Sequence, residues 1–433
     1  MVTVLLILLL SVGALITLVL VKPTVQIPRT EKSVSIYWVA PLVGVCLLLA
    51  LGLVTPSEVL AGLTASGEVN PLKILTLFLS MTFLSVFLDE AKFFGYLATV
   101  ILKKAGKNQL VFFLYLFLTV SVLTIFTSND IIVLTFTPFI CYFARRAKID
   151  PIPYLVCEFV AANTFSMTLM IGNPTNIYLS ASAGVDFGAY LSEMWLPTLL
   201  AGVGVFLMLI LLFRRRLSKP MEPDVSAAAI PDKVLLTIGL VHLILCIVCL
   251  AVSSYLPIPM WLLTLGFAAS LLACTLLYCA IRRVCPRILG LAVRRLPFDI
   301  IPFVLSMFVL VLALDKFEVT DLVRSALSHG HPVISYGVVS FLSSNLLNNI
   351  PMSVLFSPIV AGVEEGARSA ALYATVIGSN LGAFFTPLGA LAGIMWTAML
   401  KNFDVKYGFR DFVRYGAAVS IPALALALLG LMI

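Results

Sequence analysis

The segment Thr127-Ser128-Asn129-Asp130, followed at once by Ile131-Ile132-Val133-Leu134-Thr135-Phe136-Thr137-Pro138, breaks an otherwise apolar run from about 109 to 144. That run is too long for one membrane span, which takes about 20 apolar residues at 1.5 Å per residue. Lys103, Lys104 and Lys107 flank it on one side, Arg145, Arg146 and Lys148 on the other. Basic flanks prefer the cytoplasm, so both ends belong on one face. A re-entrant hairpin meets this condition: two apolar arms enter and leave by the same face. The polar turn then lies at mid-membrane, where irregular backbone survives only against protein or a watery cavity.

A second long apolar stretch, about 333 to 360, is interrupted by Ser343-Ser344-Asn345 and Asn348-Asn349. Its approach carries His329 and His331 and its exit Glu364 and Glu365, so both its ends are expected outside. Asn129 to Pro138 aligns without gaps on Asn349 to Pro358, and Leu88-Asp89 precedes the first hairpin as Leu314-Asp315 precedes the second. With a small gap Asn163 falls on Asn380 and Gly172 on Gly389.

Ten further runs have the length of a span: roughly 2 to 21, 36 to 53, 74 to 101, 152 to 183, 193 to 213, 234 to 255, 258 to 280, 298 to 317, 369 to 398 and 411 to 432. The first lacks a basic n-region and a small-residue cleavage site and reads as a retained span. Threading all of them with the two hairpins places both termini outside. Of the 28 basic residues, 23 then lie inside, Lys73, Lys316, Arg324 and Arg368 outside, and Lys92 within a helix. The expected fold is an all-α polytopic membrane protein of two inverted-topology repeats, each with five spanning helices and one re-entrant hairpin. The N-terminal repeat is 1–213, the cytoplasmic linker 214–233 and the C-terminal repeat 234–433, with the multi-pass chain in the cell membrane.

Composition excludes the alternatives. Of 433 residues, 61% are hydrophobic and 11% charged, where a soluble domain has about a quarter charged. The net charge of +7 sits in short clusters between apolar runs, which argues against nucleic acid as a partner. The eight cysteines show no zinc or redox spacing, no phosphate-binding loop is present, and no nucleophile and base pair stands out at membrane depth. Neither an enzyme nor a cofactor is expected.

The spans 152 to 183 and 369 to 398 carry amides and helix breakers at their centres. The first has Asn163-Thr164 and Gly172-Asn173-Pro174-Thr175-Asn176; the second has Ser379-Asn380 and Thr386-Pro387-Leu388-Gly389. Proline removes a donor and glycine loosens the helix, so each span should break into half-helices whose free carbonyls and N-termini can bind a substrate or ion. The expected substrate site comprises Ser128, Asn129, Asn163, Thr164, Asn173, Thr175, Asn176, Asn348, Asn349, Ser379, Asn380 and Thr386. Asp130 is the expected coupling residue, because an ionised carboxylate at mid-membrane costs roughly 2.5 to 3.5 kcal/mol unless a proton or cation neutralises it; the bland reading is a helix cap. Glu158, close behind Pro151 and Pro153, is expected to snorkel at a shallow depth, and Asp89, Glu90 and Lys92 to form a local charge cluster. The set holds no Arg or Lys, which suits a neutral polyhydroxyl solute with a proton better than a multivalent anion.

Leu88-Asp89-Glu90-Ala91-Lys92-Phe93-Phe94, Phe126-Thr127-Ser128-Asn129-Asp130, Phe341-Leu342-Ser343-Ser344-Asn345 to Pro351, and Val376-Ile377-Gly378-Ser379-Asn380-Leu381-Gly382 to Ala392 with Trp396 resemble the arsenite and antimonite efflux permeases of the ion transporter superfamily. Ile131 and Asn380 stand where that family has a small and an acidic residue, while Gly172 to Asn176 resembles the wider superfamily's Gly-x-Pro-x-Asn block. The resemblance implies export of trivalent arsenic or antimony hydroxides, driven by protons or through a soluble ATPase partner. Superfamily relatives add sodium/proton antiporters and sodium- or proton-coupled citrate and dicarboxylate carriers. The expected partners are a small inorganic or organic ion and a coupling proton or sodium ion; membrane lipid, from the composition, and a second copy of the chain complete the expectation.

Overall fold

A computed structural model describes residues 1–21, 24–26, 33–64, 70–221, 229–253 and 258–433. The basic loop holding Lys22, Arg29 and Lys32, and the linker part 222–228, lie outside the described residues.

Among the described residues the chain is helical apart from a ribbon of two short antiparallel strands, β1 (Thr24–Gln26) and β2 (Ser33–Ser35). Its first helices are α1 (Val2–Val21), α2 (Val39–Ala50), α3 (Pro56–Leu63), α4 (Pro71–Glu90), α5 (Phe93–Ala105), α6 (Gln109–Phe126), α7 (Asn129–Arg146), α8 (Ile152–Phe165), α9 (Pro174–Ser182) and α10 (Phe187–Leu217). There follow α11 (Lys233–Ala251), α12 (Met260–Arg282), α13 (Arg287–Arg294), α14 (Ile300–Lys316), α15 (Val319–Ser328), α16 (Pro332–Leu347), α17 (Asn349–Ala361), α18 (Glu365–Gly382), α19 (Leu391–Asn402) and α20 (Phe409–Met432). Among the described residues α4, α6, α10, α11, α12 and α20 are each long and apolar enough to cross a membrane, and the pair α14 and α15, bent by 76°, makes a seventh.

Local chemistry sets many of the boundaries. Asn70, Asn108, Asn173, Asp186 and Asp232 precede helices and accept bonds from their first free amides, and Pro71 and Pro174 occupy first-turn positions where the missing N–H is harmless. The first hairpin folds back as expected: Phe112 at the start of α6 lies 4.9 Å, ring to ring, from Phe143 near the end of α7. The span expected at 152 to 183 breaks into α8, a short 3-10 turn and α9, and that at 369 to 398 into α18 and α19 around 383–390.

One span needs correction. The run 74 to 101 is not continuous but divides into α4 and α5 at Lys92, whose φ is 66°. The turn closes through Ala91 N to Phe87 O and Lys92 N to Asp89 O, so it is paid for by helix-end bonds rather than by a glycine. Glu318, with φ 60°, makes the matching turn between α14 and α15.

Packing crosses between the two halves: α2 lies on α14 and α12 on α4, while α9 meets α17 and α19 meets α7. A close approach joins α16 and α18. A Cβ at Gly378 would collide with Ser340 Oγ and the Gly337 carbonyl, and one at Gly382 with Ser344 Oγ. Small residues thus let these backbones meet directly, the main source of helix affinity in lipid.

Candidate functional site

The two hairpin turns and the breaks in α8/α9 and α18/α19 converge on a cavity of about 530 Å³. Ser128, Asn129 and Asp130 from the first turn, Asn173 from the start of α9 and Asn349 from the second turn line it, with Thr82, Tyr37, Arg295, Asp299 and Asn402. Exposed Arg295 and Asn402 mark its mouth, Asn402 beside Phe403 and Asp404, which hold Arg145. At the other end Phe78, Pro174, Ile300 and Ile350 close it. Beyond them lie a void of about 10 Å³ and then a separate pocket of about 230 Å³ beside Lys73 and Trp261.

Asp130 is half-buried in the first turn of α7. Ser128, not Asp130, holds the N-cap position, and neither side chain caps the helix. The carboxylate belongs to the N-terminal turn of α7 and lines the cavity wall. Asn129 donates to Asn163 Oδ1 at 3.1 Å, but its own Oδ1 is buried without a partner, as is Thr82 Oγ1. Unpaired buried acceptors are costly, about 1–3 kcal/mol each, so these two atoms are sites where a ligand gains most.

The other expected residues form the frame behind the cavity rather than its wall. Asn380 Oδ1 accepts from Ser166 Oγ at 3.0 Å and from Asn173 Nδ2 at 3.1 Å, and its amide donates to Asn176 Oδ1 at 2.6 Å. Asn176 in turn donates to the Ser166 carbonyl, so the centres of both broken spans are knitted together. Thr164 bonds back to Val160, and Thr175 bonds to Asn176. Thr386 donates to Asn345, Asn348 donates to the Leu388 carbonyl, and Asn349 N donates to the Gly389 carbonyl. Ser379 Oγ has no partner and lines no cavity wall.

Three expectations fail. The wall is not free of basic groups: Arg295 lines it, with Nη1 at 2.6 Å from both Asp89 and Glu90. These carboxylates pair with that distant arginine and not with Lys92, because the left-handed turn at Lys92 ends α4 and leaves its acidic end facing the α13–α14 loop. Glu158 does not snorkel; it is 0% exposed, because Tyr154, one turn nearer the face, is itself buried against Phe112 and Phe113 and shuts off the route to water. Arg295 was missed as an ordinary loop residue, and Tyr37 and Asp299 as single polar residues at the ends of the expected spans 36 to 53 and 298 to 317; only the fold brings them together.

A family model described as citrate transporter, CitMHS, matches residues 15–378. The chain belongs to that citrate transporter family. Proteins similar to it include the arsenical pump membrane protein of Escherichia coli K12, 27% identical over 420 residues and covering 92% of this chain and 94% of that one. The arsenical pump membrane protein of Yersinia enterocolitica is 28% identical over 375 residues, covering 82% and 84%. The putative arsenical pump membrane protein of Bacillus subtilis is 23% identical over 368 residues, covering 78% and 81%. In fold, this family member is similar to the YdaH transporter of Alcanivorax borkumensis, whose structure is titled as revealing an unusual topology: the TM-score is 0.60 at 13% identity, over 99% of this chain and 97% of that one. The protein is thus a multi-pass membrane transporter of the citrate transporter family.

Proposed function

We propose that the chain exports a small neutral trivalent oxyacid, arsenite or antimonite, in exchange for protons. The observation that carries this reading is the chemistry of the wall. It presents two unpaired buried oxygens, Asn129 Oδ1 and Thr82 Oγ1, beside Asp130. Its single guanidinium is already neutralised by Asp89 and Glu90, and Asp299 adds a further carboxylate. Such a wall accepts hydroxyl protons and offers no uncompensated positive charge to a multivalent anion. The arsenical-pump names of the similar proteins lean the same way.

In this reading the halves 1–213 and 234–433 are inverted repeats joined by the linker 214–233, supported by the reciprocal packing of α2 on α14 and α12 on α4. The cavity is the cytoplasm-facing state, and Asp130 exchanges the coupling proton at the turn of the first hairpin. The second reading is a citrate or dicarboxylate carrier, favoured by Arg295 on the wall and by the family description. It requires Arg295 to leave Asp89 and Glu90 for the anion.

Everted vesicles loaded with a pH or a sodium gradient separate the two. Arsenite or antimonite should accumulate under the pH gradient, and Asp130→Asn should bind and exchange the solute while losing that accumulation. Accumulation of citrate or succinate without arsenite would overturn the assignment in favour of the anion carrier.

A further inference from the structure

Thr137 Oγ1 lies 3.1 Å from each carboxylate oxygen of Glu158, and both residues are 0% exposed. Among the described residues Glu158 enters none of the ion pairs. The groups around it do not supply a cation. From α7 the Cys141 thiol and Arg145 approach, but the guanidinium of Arg145 is exposed and bonded to the Phe403 carbonyl and Asp404. From α8 come Cys157 and Tyr154, whose hydroxyl donates to Gln109. From α19 comes Trp396, stacked on Phe159, with Tyr407 edge-on behind it. Of the other helices on α8, α6 brings only Tyr115, packed into the apolar core; Tyr190 of α10 and Tyr373 of α18 meet at the far face, and Arg216 of α10 is paired with Asp150.

A carboxylate enclosed this way has the Thr137 hydroxyl and, from α19, the buried indole N–H of Trp396 beside it but no cation, so its charged form is costly until the α7–α8 interface opens to water. Closing that interface and taking up a proton are therefore a single equilibrium. The hydroxyl of Thr137 is suited to both forms. It donates to the carboxylate, and when the carboxylate binds H⁺ the new O–H donates to Thr137 Oγ1. The threonine proton then turns to a carbonyl of its own helix, the bond that Thr124 and Thr164 make with Val120 and Val160. Pro138, next in the chain, deprives α7 of one helix bond at this level and lets the helix flex there. The same interface carries Asn129 bonded to Asn163, eight residues along α7 and roughly 12 Å away at 1.5 Å per residue.

We propose that Glu158 and Thr137 form a second proton-binding site, distinct from Asp130, whose occupancy is linked to closure of α7 on α8 and so to the position of the first hairpin turn. This rests on the proton-coupled reading for its role in transport, but not for its titration.

The test uses the whole reconstituted protein and the variants Glu158→Gln, Thr137→Val and Asp130→Asn. Infrared difference spectra between acid and alkaline buffers, taken without any solute, should show a protonated-carboxyl band that Asp130→Asn retains and Glu158→Gln lacks. In Thr137→Val its midpoint should move by about one pH unit, a tenfold change in proton affinity. In arsenite exchange, Glu158→Gln should lose one step of the native pH profile. A band that never titrates, or a Glu158→Gln protein with the native band and native pH profile, would overturn the proposal. Should the protein move no arsenite at all, the infrared titration still decides the site, and only the transport reading falls. If Glu158→Gln does not assemble, an unshifted midpoint in Thr137→Val is the overturning result.

Discussion

The two hairpins carry aligned sequences, yet they are held in different ways. The second is tied to three backbone carbonyls: Asn349 N donates to that of Gly389, and the side-chain amides of Asn348 and Asn345 donate to those of Leu388 and Gly382. Its arm α16 meets α18 at glycines and serines. The first is tied at its turn by one side-chain bond, Asn129 to Asn163, and its arm α6 meets α8 through the rings Phe112, Phe113 and Tyr154. The charges follow the looser one: Asp130 and Thr137–Glu158 belong to α7 and its contact with α8, whereas α17 has Ile350 and Pro351 in its first turn. Under the proton-coupled proposal, the turn that responds to a proton is the one held by few bonds, and the partner turn is its fixed reference.

The comparison breaks most easily at the glycine contact. Gly378→Val should cost about 3 kcal/mol or more of stability, because backbone and Ser340 occupy the space and neither can retreat far. Thermal unfolding in detergent checks it, and a variant as stable as the native chain would remove the rigid half of the contrast. The amides give an intermediate effect. Asn380→Ala strands Ser166, Asn173 and Asn176, for an expected loss of about 2–3 kcal/mol, while Asn163→Ala releases Asn129 and should cost about 1 kcal/mol. Equal losses in the same unfolding assay would mean that the first turn is as firmly held as the second. The smallest effect is in hydrogen exchange: the amides of 348–350 should exchange several-fold more slowly than those of 128–130, since Asn349 N is bonded outside its own helix.

Much of this was legible in the chain. The first hairpin announces itself by basic residues at both ends and a polar turn between them, and α6 and α7 begin and end within two residues of the expected 109 to 144. The breaks in 152 to 183 and 369 to 398 are likewise written in Asn173-Pro174 and Thr386-Pro387. What was not legible depends on contacts made far apart in sequence. The left-handed turn at Lys92 has no residue signal, since lysine carries none of glycine's freedom. Arg295 reads as one loop arginine among many, and its clamp on Asp89 and Glu90 exists only once α13 lies on α4. The depth of Glu158 was judged from its distance to Pro153 along the chain, but what matters is the ring of Tyr154 and its neighbours that covers the helix end.

The seal behind the cavity, made by Phe78, Pro174, Ile300 and Ile350, is a single layer of side chains between the cavity and the small void beyond it. Water and ions in an open cavity carry the potential of their own compartment inward, so a membrane voltage falls mainly across that layer. A charge crossing it gains or loses about 2.3 kcal/mol per 100 mV although it moves only the width of a side chain. Asp130 lies on the cavity side of this layer, and in the proposed transport cycle the four helices that carry the layer, α4 and α9 with α14 and α17, would have to part for the field to relocate to its other side.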